Sequence, residues 1–389
     1  MGEVANLLTG FPFESKKFVR EGIKLVRGMN VKRGYLDFSE ELCECWSSSQ
    51  GLENYLLNSG DILIQMDGAL IGKSYAKIKE NQLPALLVQR VTRVRIQNQI
   101  SDESFVYQQI QKGFLTYIKG TKTETAVPHL SLNDIESFEI ATPSVDEEKK
   151  IGAFFESLDH LITLHQRKYD KLQVLKKAML EKMFPKNGSS VPEIRFKGFT
   201  DAWEQRKLGE VVKEVTRNDP TSEAPIMMIT ANNGFIEQSE RYAFDNAGES
   251  LKKYILLQKG ELAYNHGASK LRPFGSCFAL TTEESARIPF VYHCFSAESQ
   301  NAEFLSIELN GSEVESQLRK IVSSGARMDG LLNISFDEYS TVTVLLPDIK
   351  EQEHIADFFR NLDHLITLHQ RELEKLQNIK KSMLEKMFV

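Results

Sequence analysis

The side chains best suited to chemistry in this chain are cations and amides in loop-like stretches, which could hydrogen bond to phosphates and base edges. Arginine and lysine suit phosphate and guanine, and asparagine suits adenine. In the first half of the chain the candidates are Lys16, Lys17, Arg20, Lys32, Arg33, Lys73, Lys119 and Lys122. In the second half they are Arg217, Asn232, Asn233, Asn265, Lys270, Arg272, Arg319 and Arg327. The strongest candidates lie in the stretches 267–272 and 323–327, although each residue alone could equally be a solvated surface side chain.

Catalytic and metal-binding patterns are absent from the sequence. The chain has four cysteines, Cys43, Cys45, Cys277 and Cys294. They do not form a disulfide framework, and the first two are too closely spaced for a zinc pair. The sequence shows no phosphate-binding glycine loop, no methyltransferase motif and no nucleophile–histidine arrangement. Pro347-Asp348 could suggest a nuclease carboxylate, but a helix cap explains it better. We therefore expect no catalytic residue and no metal site.

Composition indicates a globular protein with two or three domains. The 389 residues are 41% hydrophobic and 26% charged, and the formal net charge is −6. No signal peptide is apparent after Met1, and no run of about 18 apolar residues could cross a bilayer, so we expect a cytoplasmic protein. Phosphate neutralisation supplies much of the affinity for nucleic acid. Binding to DNA would therefore require cations clustered on one face, or a partner that supplies them.

An internal repeat is the strongest signal in the sequence. Residues 143–184 align with 347–388 at an offset of 204 without a gap, and 26 of the 42 positions are identical. Each copy begins at a proline and has the spacing of a capping box, Ser144 with Glu147 and Asp348 with Glu351. A helix of about 40 residues at ~1.5 Å per residue would be roughly 60 Å long. The sequence therefore predicts two long, equivalent helices.

Apolar residues recur every seven positions along both helices, which is typical of a coiled coil. The predicted helix-pair and partner interface comprises Ile151, Phe154, Phe155, Leu158, Leu161, Ile162, His165, Leu172 and Met179 in the first copy. In the second copy it comprises Ile355, Phe358, Phe359, Leu362, Leu365, Ile366, His369, Leu376 and Met383. The simplest packing is antiparallel, around a local two-fold axis. The stripe is wider than two helices need, so partner helices could complete a four-helix bundle, or the chain's own domains could cover it.

His165 and His369 lie near the midpoints of the two predicted helices. In an antiparallel pair in register they would meet near the crossing point. A polar contact at such a position can set helix register. The alternative is that both histidines are partly solvated and have no particular role.

The segments before the two helices, 1–142 and 196–346, are similar in length and share landmarks but little sequence. Gly2-Glu3-Val4 corresponds to Gly209-Glu210-Val211, which indicates that the sequence begins inside the first repeat. We expect each segment to mix strands with short helices in an α/β (α+β) domain. The predicted strands are 61–66, 86–96, 137–142, 254–264, 288–295 and 341–346. The predicted helices are about 103–112 and 312–322.

Three motifs resemble those of one known family. They are the run PEIRFKGFTDAWEQRK at 192–207, the block FF-x₂-LDHLITLHQR, and the ending KKxMLEKMF of each helix. With the order of the domains, they are similar to the specificity subunits of type I restriction–modification systems. The resemblance implies two target-recognition domains, inverted relative to each other and separated by two antiparallel helices. The boundaries would be domain 1 at 1–142, helix 1 at 143–185, a linker at 186–195, domain 2 at 196–346 and helix 2 at 347–389.

The same resemblance implies partners and a function. The chain would bind double-stranded DNA, dock two modification (methyltransferase) subunits on its helices and work with restriction (motor and nuclease) subunits, away from membranes. No cofactor is expected in this chain. S-adenosylmethionine would bind the methyltransferase, and ATP and magnesium the restriction subunit. Since the two domains differ in sequence, the target would be asymmetric and in two parts, with the helices setting the spacer. The alternative is a coiled-coil scaffold that binds only proteins.

Overall fold

The computed structural model describes the residues in the ranges 1–68, 70–121, 129–186, 188–231, 234–241, 248–322 and 332–388. The chain divides into two compact units. Unit 1 consists of Met1–Arg167 and His369–Val389, and unit 2 of Lys168–Leu368. Both long helices pass from one unit into the other, so each unit contains a segment of each helix. The domain boundaries predicted from the sequence stay a prediction. None of the described helices is long and apolar enough to cross a membrane.

Unit 1 is built on a four-stranded antiparallel sheet in the order β1-β7-β4-β5, beside a three-stranded sheet in the order β3-β2-β6. Its strands are β1 (Ala5–Thr9), β2 (Ile23–Val26), β3 (Cys45–Trp46), β4 (Ile62–Gln65), β5 (Tyr75–Lys77), β6 (Ala85–Leu87) and β7 (Val91–Ile96). Its helices are α1 (Glu103–Gln109), α2 (Leu115–Thr121), α3 (Leu132–Glu136) and the first part of α4 (Val145–Lys182). A π-helical turn, Ile110–Phe114, joins α1 to α2.

Strand β4 shows why this sheet lies at the centre of unit 1. Ile62, Leu63 and Ile64 are fully buried although they point alternately to opposite faces. Ile62 and Ile64 pack into the cluster that contains Phe105 and Phe155. Leu63 faces the other cluster, with Val26 and Leu87 of the three-stranded sheet. A strand covered on both faces has a continuous apolar sequence.

Unit 2 repeats the four-stranded sheet, in the order β9-β16-β13-β14. Its strands are β8 (Glu204–Lys207), β9 (Lys213–Glu214), β10 (Met227–Thr230), β11 (Gly234–Glu237), β12 (Ile255–Gln258), β13 (Leu262–Asn265), β14 (Ser276–Ala279), β15 (Ser285–Ile288), β16 (His293–Ser296) and β17 (Thr343–Leu346). Its helices are α5 (Gln238–Arg241), α6 (Ala302–Leu309), α7 (Ser312–Ile321), α8 (Phe336–Tyr339), the end of α4 and the start of α9 (Ile349–Met387). The main difference from unit 1 is the set of two-stranded sheets β10-β11, β12-β15 and β17-β8.

Equivalent side chains cap equivalent helices in the two units. Ser131 and Asp134 form a capping box on α3, and Ser335 and Glu338 form one on α8, 204 residues later. At the start of the long helices, the buried Glu148 Oε2 accepts a hydrogen bond from the Asp102 amide. Gln352 Oε1 accepts the matching bond from the Asn301 amide. These contacts tie each long helix to the start of α1 or α6.

The capping boxes predicted for the long helices form only in part. Ser144 Oγ accepts a bond from the Glu147 amide at 3.4 Å, and Asp348 Oδ1 accepts one from the Lys350 amide at 2.9 Å. Glu351 does not return a bond to its cap. Its buried carboxylate instead accepts two 2.7 Å bonds from Arg195, because the folded chain brings that guanidinium to the helix start.

Four of the predicted strands were wrong. Three of them divide into two strands, and one does not form. The stretch 86–96 divides into β6 and β7 at Arg90, whose φ of 70° ends one sheet and begins another. The stretch 254–264 divides at the turn that contains Gly260, and 288–295 divides between β15 and β16. Residues 137–142 form no strand. In unit 2 the corresponding residues form β17, which pairs with β8.

Within each unit the two long helices run antiparallel. In unit 1 the Phe155 ring lies 5.7 Å from the Phe388 ring, Asp159 pairs with Lys380 at 2.6 Å, and the Nδ1 atoms of His165 and His369 are 3.1 Å apart. Along this series of contacts the residue numbers increase in α4 and decrease in α9, as they do in an antiparallel pair. In unit 2 Lys176 pairs with Asp363 at 2.5 Å, which is the equivalent of the Lys380–Asp159 pair at the offset of 204.

Phe155 and its neighbour Phe154 offer a matched test of this core. Phe155 is fully buried and Phe154 is 41% exposed. Phe155→Ala should lower the free energy of unfolding by about 3–5 kcal/mol, as expected for a buried phenylalanine. Phe154→Ala should cost less than about 1 kcal/mol. Urea unfolding of the two variants measures the difference, and equal midpoints would contradict the assignment of Phe155 to the core.

Glu308 should make the stability of the chain depend on pH. It is 7% exposed, and burial raises its pKa from 4.5 to about 7, while a bond from the Leu345 amide opposes the shift. The folded state therefore favours the protonated carboxyl. The contribution of Glu308 to the free energy of unfolding should therefore be most favourable below about pH 4.5 and should fall as the pH rises to about 7.

Glu308→Gln should remove this slope, since the amide oxygen can still accept the bond from Leu345. At neutral pH the variant should be more stable than the parent chain by up to about 3 kcal/mol. Urea unfolding between pH 4.5 and pH 8 measures the effect, with the exposed Glu283→Gln as the control. Parallel pH profiles for the parent chain and Glu308→Gln would show that Glu308 is ionised in the folded state.

Candidate nucleic-acid interface

Each four-stranded sheet carries a long hairpin loop at the same end. Hairpin loop 1, residues 66–74, joins β4 to β5; Ala69 within it lies outside the described residues. Hairpin loop 2, residues 266–275, joins β13 to β14. We call this end of each sheet the hairpin end. It is where β4 or β13 ends and where β7 or β16 begins.

Hairpin loop 1 is held by backbone and side-chain bonds. The Leu130 amide donates to Met66 O at 2.6 Å, and the Met66 amide donates to Arg90 O at 2.9 Å. Asp67 pairs with the Arg90 guanidinium at 2.9 Å. Within the loop, the Ser74 amide donates to Leu70 O at 3.0 Å. The loop therefore has a defined shape, and it presents Lys73 to solvent.

Several predicted cations of unit 1 lie at the hairpin end. Lys32 and Arg33 belong to the loop after β2, where the Gly34 amide donates to Tyr75 O at 2.8 Å. Burial raises the pKa of Tyr75, and a hydrogen bond from Arg33 opposes that shift. Lys119 lies near the end of α2, whose Leu115 and Ile118 pack against Gly72 of the loop. The structure thus brings Lys73, Lys32, Arg33 and Lys119 to one end of the sheet.

Arg90 also lies at this hairpin end, and sequence reasoning missed it. Its side chain is 68% exposed and pairs with Asp67. The residue falls inside a stretch that alternates like a strand, so nothing in the sequence marked it. Its positive φ and its position between two sheets became apparent only in the fold.

The remaining predicted cations of unit 1 lie elsewhere. Lys16, Lys17 and Arg20 are exposed on the segment that pairs with β3, near the start of β2 and away from hairpin loop 1. Lys17 pairs with Glu14 at 2.9 Å. Lys122 lies outside the described residues.

Hairpin loop 2 contains a tight turn. The Ser269 amide donates to Arg272 O, and the Arg272 amide donates to Ser269 Oγ, both at 3.0 Å. Arg272 Nη1 donates to Asn310 O at 2.9 Å and anchors the turn to the end of α6. Lys270 and Leu271 stand at the corner of the turn, and both are exposed.

Most other candidates in unit 2 already have partners inside the protein. Asn265 Nδ2 donates a hydrogen bond to Ile229 O, and Asn265 Oδ1 accepts one from the Gly267 amide. Burial lowers the pKa of Arg272, which anchors the loop. Arg319 lies 5.5 Å over the Phe274 ring at the hairpin end. Arg217 lies at the opposite end of β13, paired with Glu261 at 2.7 Å. Asn232, Asn233 and Arg327 lie outside the described residues.

A stack of aromatic and imidazole rings supports the base of hairpin loop 2. The ring nitrogens of His266 lie 2.7 Å from Leu332 O and from Val291 O. The His266 and His293 rings are stacked 5.0 Å apart, and Tyr264 and Tyr339 are stacked 4.0 Å apart. Burial lowers the pKa of His293. The His266 contacts fix the segments at Leu332 and Val291 to the base of hairpin loop 2. The sequence did not suggest this feature.

The predicted interface of the long helices separates into buried and exposed sets. The buried residues are Ile151, Phe155, Leu158, Ile355, Phe359, Leu362 and Ile366. The half-buried residues are Ile162, His165, Leu172, Met179, Phe358, His369, Leu376 and Met383. Phe154, Leu161 and Leu365 are about 40% exposed, as are their unpredicted neighbours Leu164 and Leu368. The units themselves thus cover much of the wide apolar stripe, and an exposed part remains on each helix.

Beside the helices of unit 1 lies an open cavity of about 1530 Å³. Its wall includes seven lysine and arginine side chains and three carboxylates, namely Arg33, Lys77, Lys79, Lys112, Arg167, Lys380 and Lys381 with Glu156, Asp159 and Glu385. In a chain of net charge −6 this is a local concentration of positive charge. Among the described residues, no group of three or more His, Cys, Asp or Glu side chains is arranged to hold a metal ion.

Comparison with known proteins is consistent with this geometry. Residues 3–174 match the family model of the Type I restriction modification DNA specificity domain. The chain is similar to the type I restriction enzyme EcoAI specificity subunit of Escherichia coli, at 28% identity over 172 residues, but this covers only 43% of the chain and 29% of that protein. It is also similar to the MjaVIII specificity subunit of Methanocaldococcus jannaschii, at 22% identity over 399 residues, which covers 96% of the chain and 84% of that protein.

The fold as a whole is shared with a solved structure. The type I restriction–modification S subunit from M. genitalium superposes with a TM-score of 0.62 at 12% identity, covering all of this chain and 94% of that one. By the family match over residues 3–174 and its similarity to two specificity subunits, this chain resembles the specificity subunits of type I restriction–modification systems.

Proposed function

We propose that the chain is a non-catalytic DNA-reading subunit, in which the hairpin end of each unit reads one half of a two-part target. One observation carries the proposal: two sheets of the same strand order each present a fixed hairpin loop with an outward lysine, Lys73 or Lys270. A two-stranded ribbon fits the major groove of DNA, where every base pair can be distinguished. A lysine on such a loop would contact phosphate or guanine.

The proposed target is asymmetric, because the two loops carry different residues on the same framework. Hairpin loop 1 reads MDGALIGKS, and hairpin loop 2 reads HGASKLRPFG. Loops of different sequence should select different base pairs. We infer that the two long antiparallel helices relate the units by a pseudo-two-fold axis and set the number of unread base pairs between the half-sites.

The proposed partners are two modification subunits, which would dock on the long helices, and restriction subunits with motor and nuclease activity. The exposed Phe154, Leu161, Leu164, Leu365 and Leu368 support a docking role, since apolar side chains on a helix favour another helix. S-adenosylmethionine would bind the modification subunit, where an adenine is flipped out for methylation. ATP and magnesium would bind the restriction subunit. This chain would need no cofactor of its own.

Mapping of methylated adenines tests the proposed function. The chain would be co-expressed with a type I modification subunit in a host that lacks adenine methylation, and the genome would be sequenced by a method that detects the methyl groups. The expected result is one asymmetric motif with two specified halves and an unspecified spacer. A palindromic or continuous motif, or the same motif without this chain, would contradict the proposal. Assembly without any DNA selectivity would favour the scaffold alternative.

Lysine substitutions at the two ends of the sheets test which end faces DNA. Lys73→Ala and Lys270→Ala should each weaken binding of the assembled complex to its target. Each should also reduce the slope of log K against log [salt] by about 0.9 per lost phosphate contact. The matched controls are Lys79→Ala and Lys259→Ala, which are exposed at the opposite ends of the same sheets. If the control lysines have the larger effect, the opposite end contacts DNA.

A further inference from the structure

Exposed apolar side chains are unevenly distributed over the described residues. Outside the long helices, the large apolar residues that stay well exposed are Met29, Tyr35, Leu70, Ile100, Val191, Ile194, Leu271 and Phe290. Five of these eight belong to the loops of the two hairpin ends. Single exposed apolar residues need no explanation, but their concentration at two equivalent places indicates a contact surface.

Leu70 and Leu271 occupy the hairpin loops themselves. Leu70 is 53% exposed in hairpin loop 1, and Leu271 is 66% exposed in hairpin loop 2. Each is close in sequence to an exposed lysine, Lys73 or Lys270. Leu70 O accepts the Ser74 amide, and Leu271 lies inside the turn closed by Ser269 and Arg272. Both leucines are thus presented outward by backbone of defined shape, beside a positive charge.

That combination indicates the chemistry of the occupant. A neighbouring lysine disfavours a purely apolar partner and favours one with negative charge close to an apolar group. The major groove of DNA provides both, because phosphates flank it and the C5-methyl group of thymine projects into it. An apolar side chain that buries this methyl group distinguishes thymine from cytosine without a hydrogen bond.

We propose that Leu70 and Leu271 are specificity-determining residues, each of which packs against the C5-methyl group of a thymine in the half-site read by its own unit. The proposal rests on the proposed function, since it requires that the hairpin ends contact DNA. It adds an apolar contact on each loop to the polar contacts that the sequence suggests. Each half of the target should therefore contain at least one thymine that depends on a single leucine.

Uracil substitution tests the contact without altering the protein. The complex of this chain with modification subunits is titrated with an oligonucleotide that carries the mapped motif, and each specified thymine in turn is replaced by uracil. One uracil in each half-site should weaken binding about four-fold, the factor for one buried methyl group. Leu70→Ala should abolish that loss in one half only, and Leu271→Ala in the other half only.

Leucine variants provide an independent readout in the mapped motif. Leu70→Ala and Leu271→Ala should each relax one thymine position to accept cytosine, whereas Leu→Met at either position should keep the motif. The controls are Ile100→Ala and Val191→Ala, which remove exposed aliphatic side chains outside the hairpin loops and should leave the motif unchanged.

The outcomes separate this inference from the proposed function. If the motif is in two parts, but neither uracil nor the leucine variants change binding or selectivity, the leucine contact is wrong and the proposed function stands. If the relaxed position is not a thymine, the contact is with another group and the inference also fails. If no two-part motif is found, the proposed function itself fails.

Discussion

Burial of the two long helices within the globular units is the constraint on which the rest of the structure depends. Phe155 and Phe359 occupy equivalent positions in the repeat, and both are almost completely buried. Each lies in the main hydrophobic cluster of its unit. An isolated helix pair would expose these rings, and an isolated sheet domain would lack one wall of its core. Each unit therefore requires segments from both helices, so residues far apart in sequence fold together.

This shared core explains why the repeat is strict in the helices and loose elsewhere. A helix that packs against a second helix on one side and against a sheet domain on another has few positions free to vary. The ion pairs Lys380–Asp159 in unit 1 and Lys176–Asp363 in unit 2 are equivalent at the offset of 204, because the two long helices pack with the same geometry within each unit. The loops at the hairpin ends have no such restriction. Their backbone is held at its base, by Met66 or His266, while the residues at the tip differ.

The hairpin ends combine a fixed backbone with exposed side chains, which is what sequence reading by direct contact requires. Arg272 and Arg90 hold the backbone of the loops, whereas several other cations at the hairpin ends are exposed. The Arg272 guanidinium donates a hydrogen bond to Asn310 O and thereby holds the turn of hairpin loop 2. Arg90 pairs with Asp67 beside hairpin loop 1. Lys73 and Lys270 remain on the surface. A cation near a proposed DNA site can thus be part of the framework, and only its partners in the fold reveal which role it has.

The sequence by itself determined the repeat, the two long helices and the mixed character of the segments before them, because these depend on periodicity and on identity at a fixed offset. It also marked Lys73 and Lys270, since glycine-rich loops with cations are recognisable locally. It could not show that Arg217 lies at the opposite end of β13, that Asn265 is engaged on both sides, or that Arg90 stands between two sheets. The hydrogen bonds and turns that decide these roles join residues distant in sequence. Only the tertiary structure brings those residues together, and it therefore decided which of the candidate side chains face solvent.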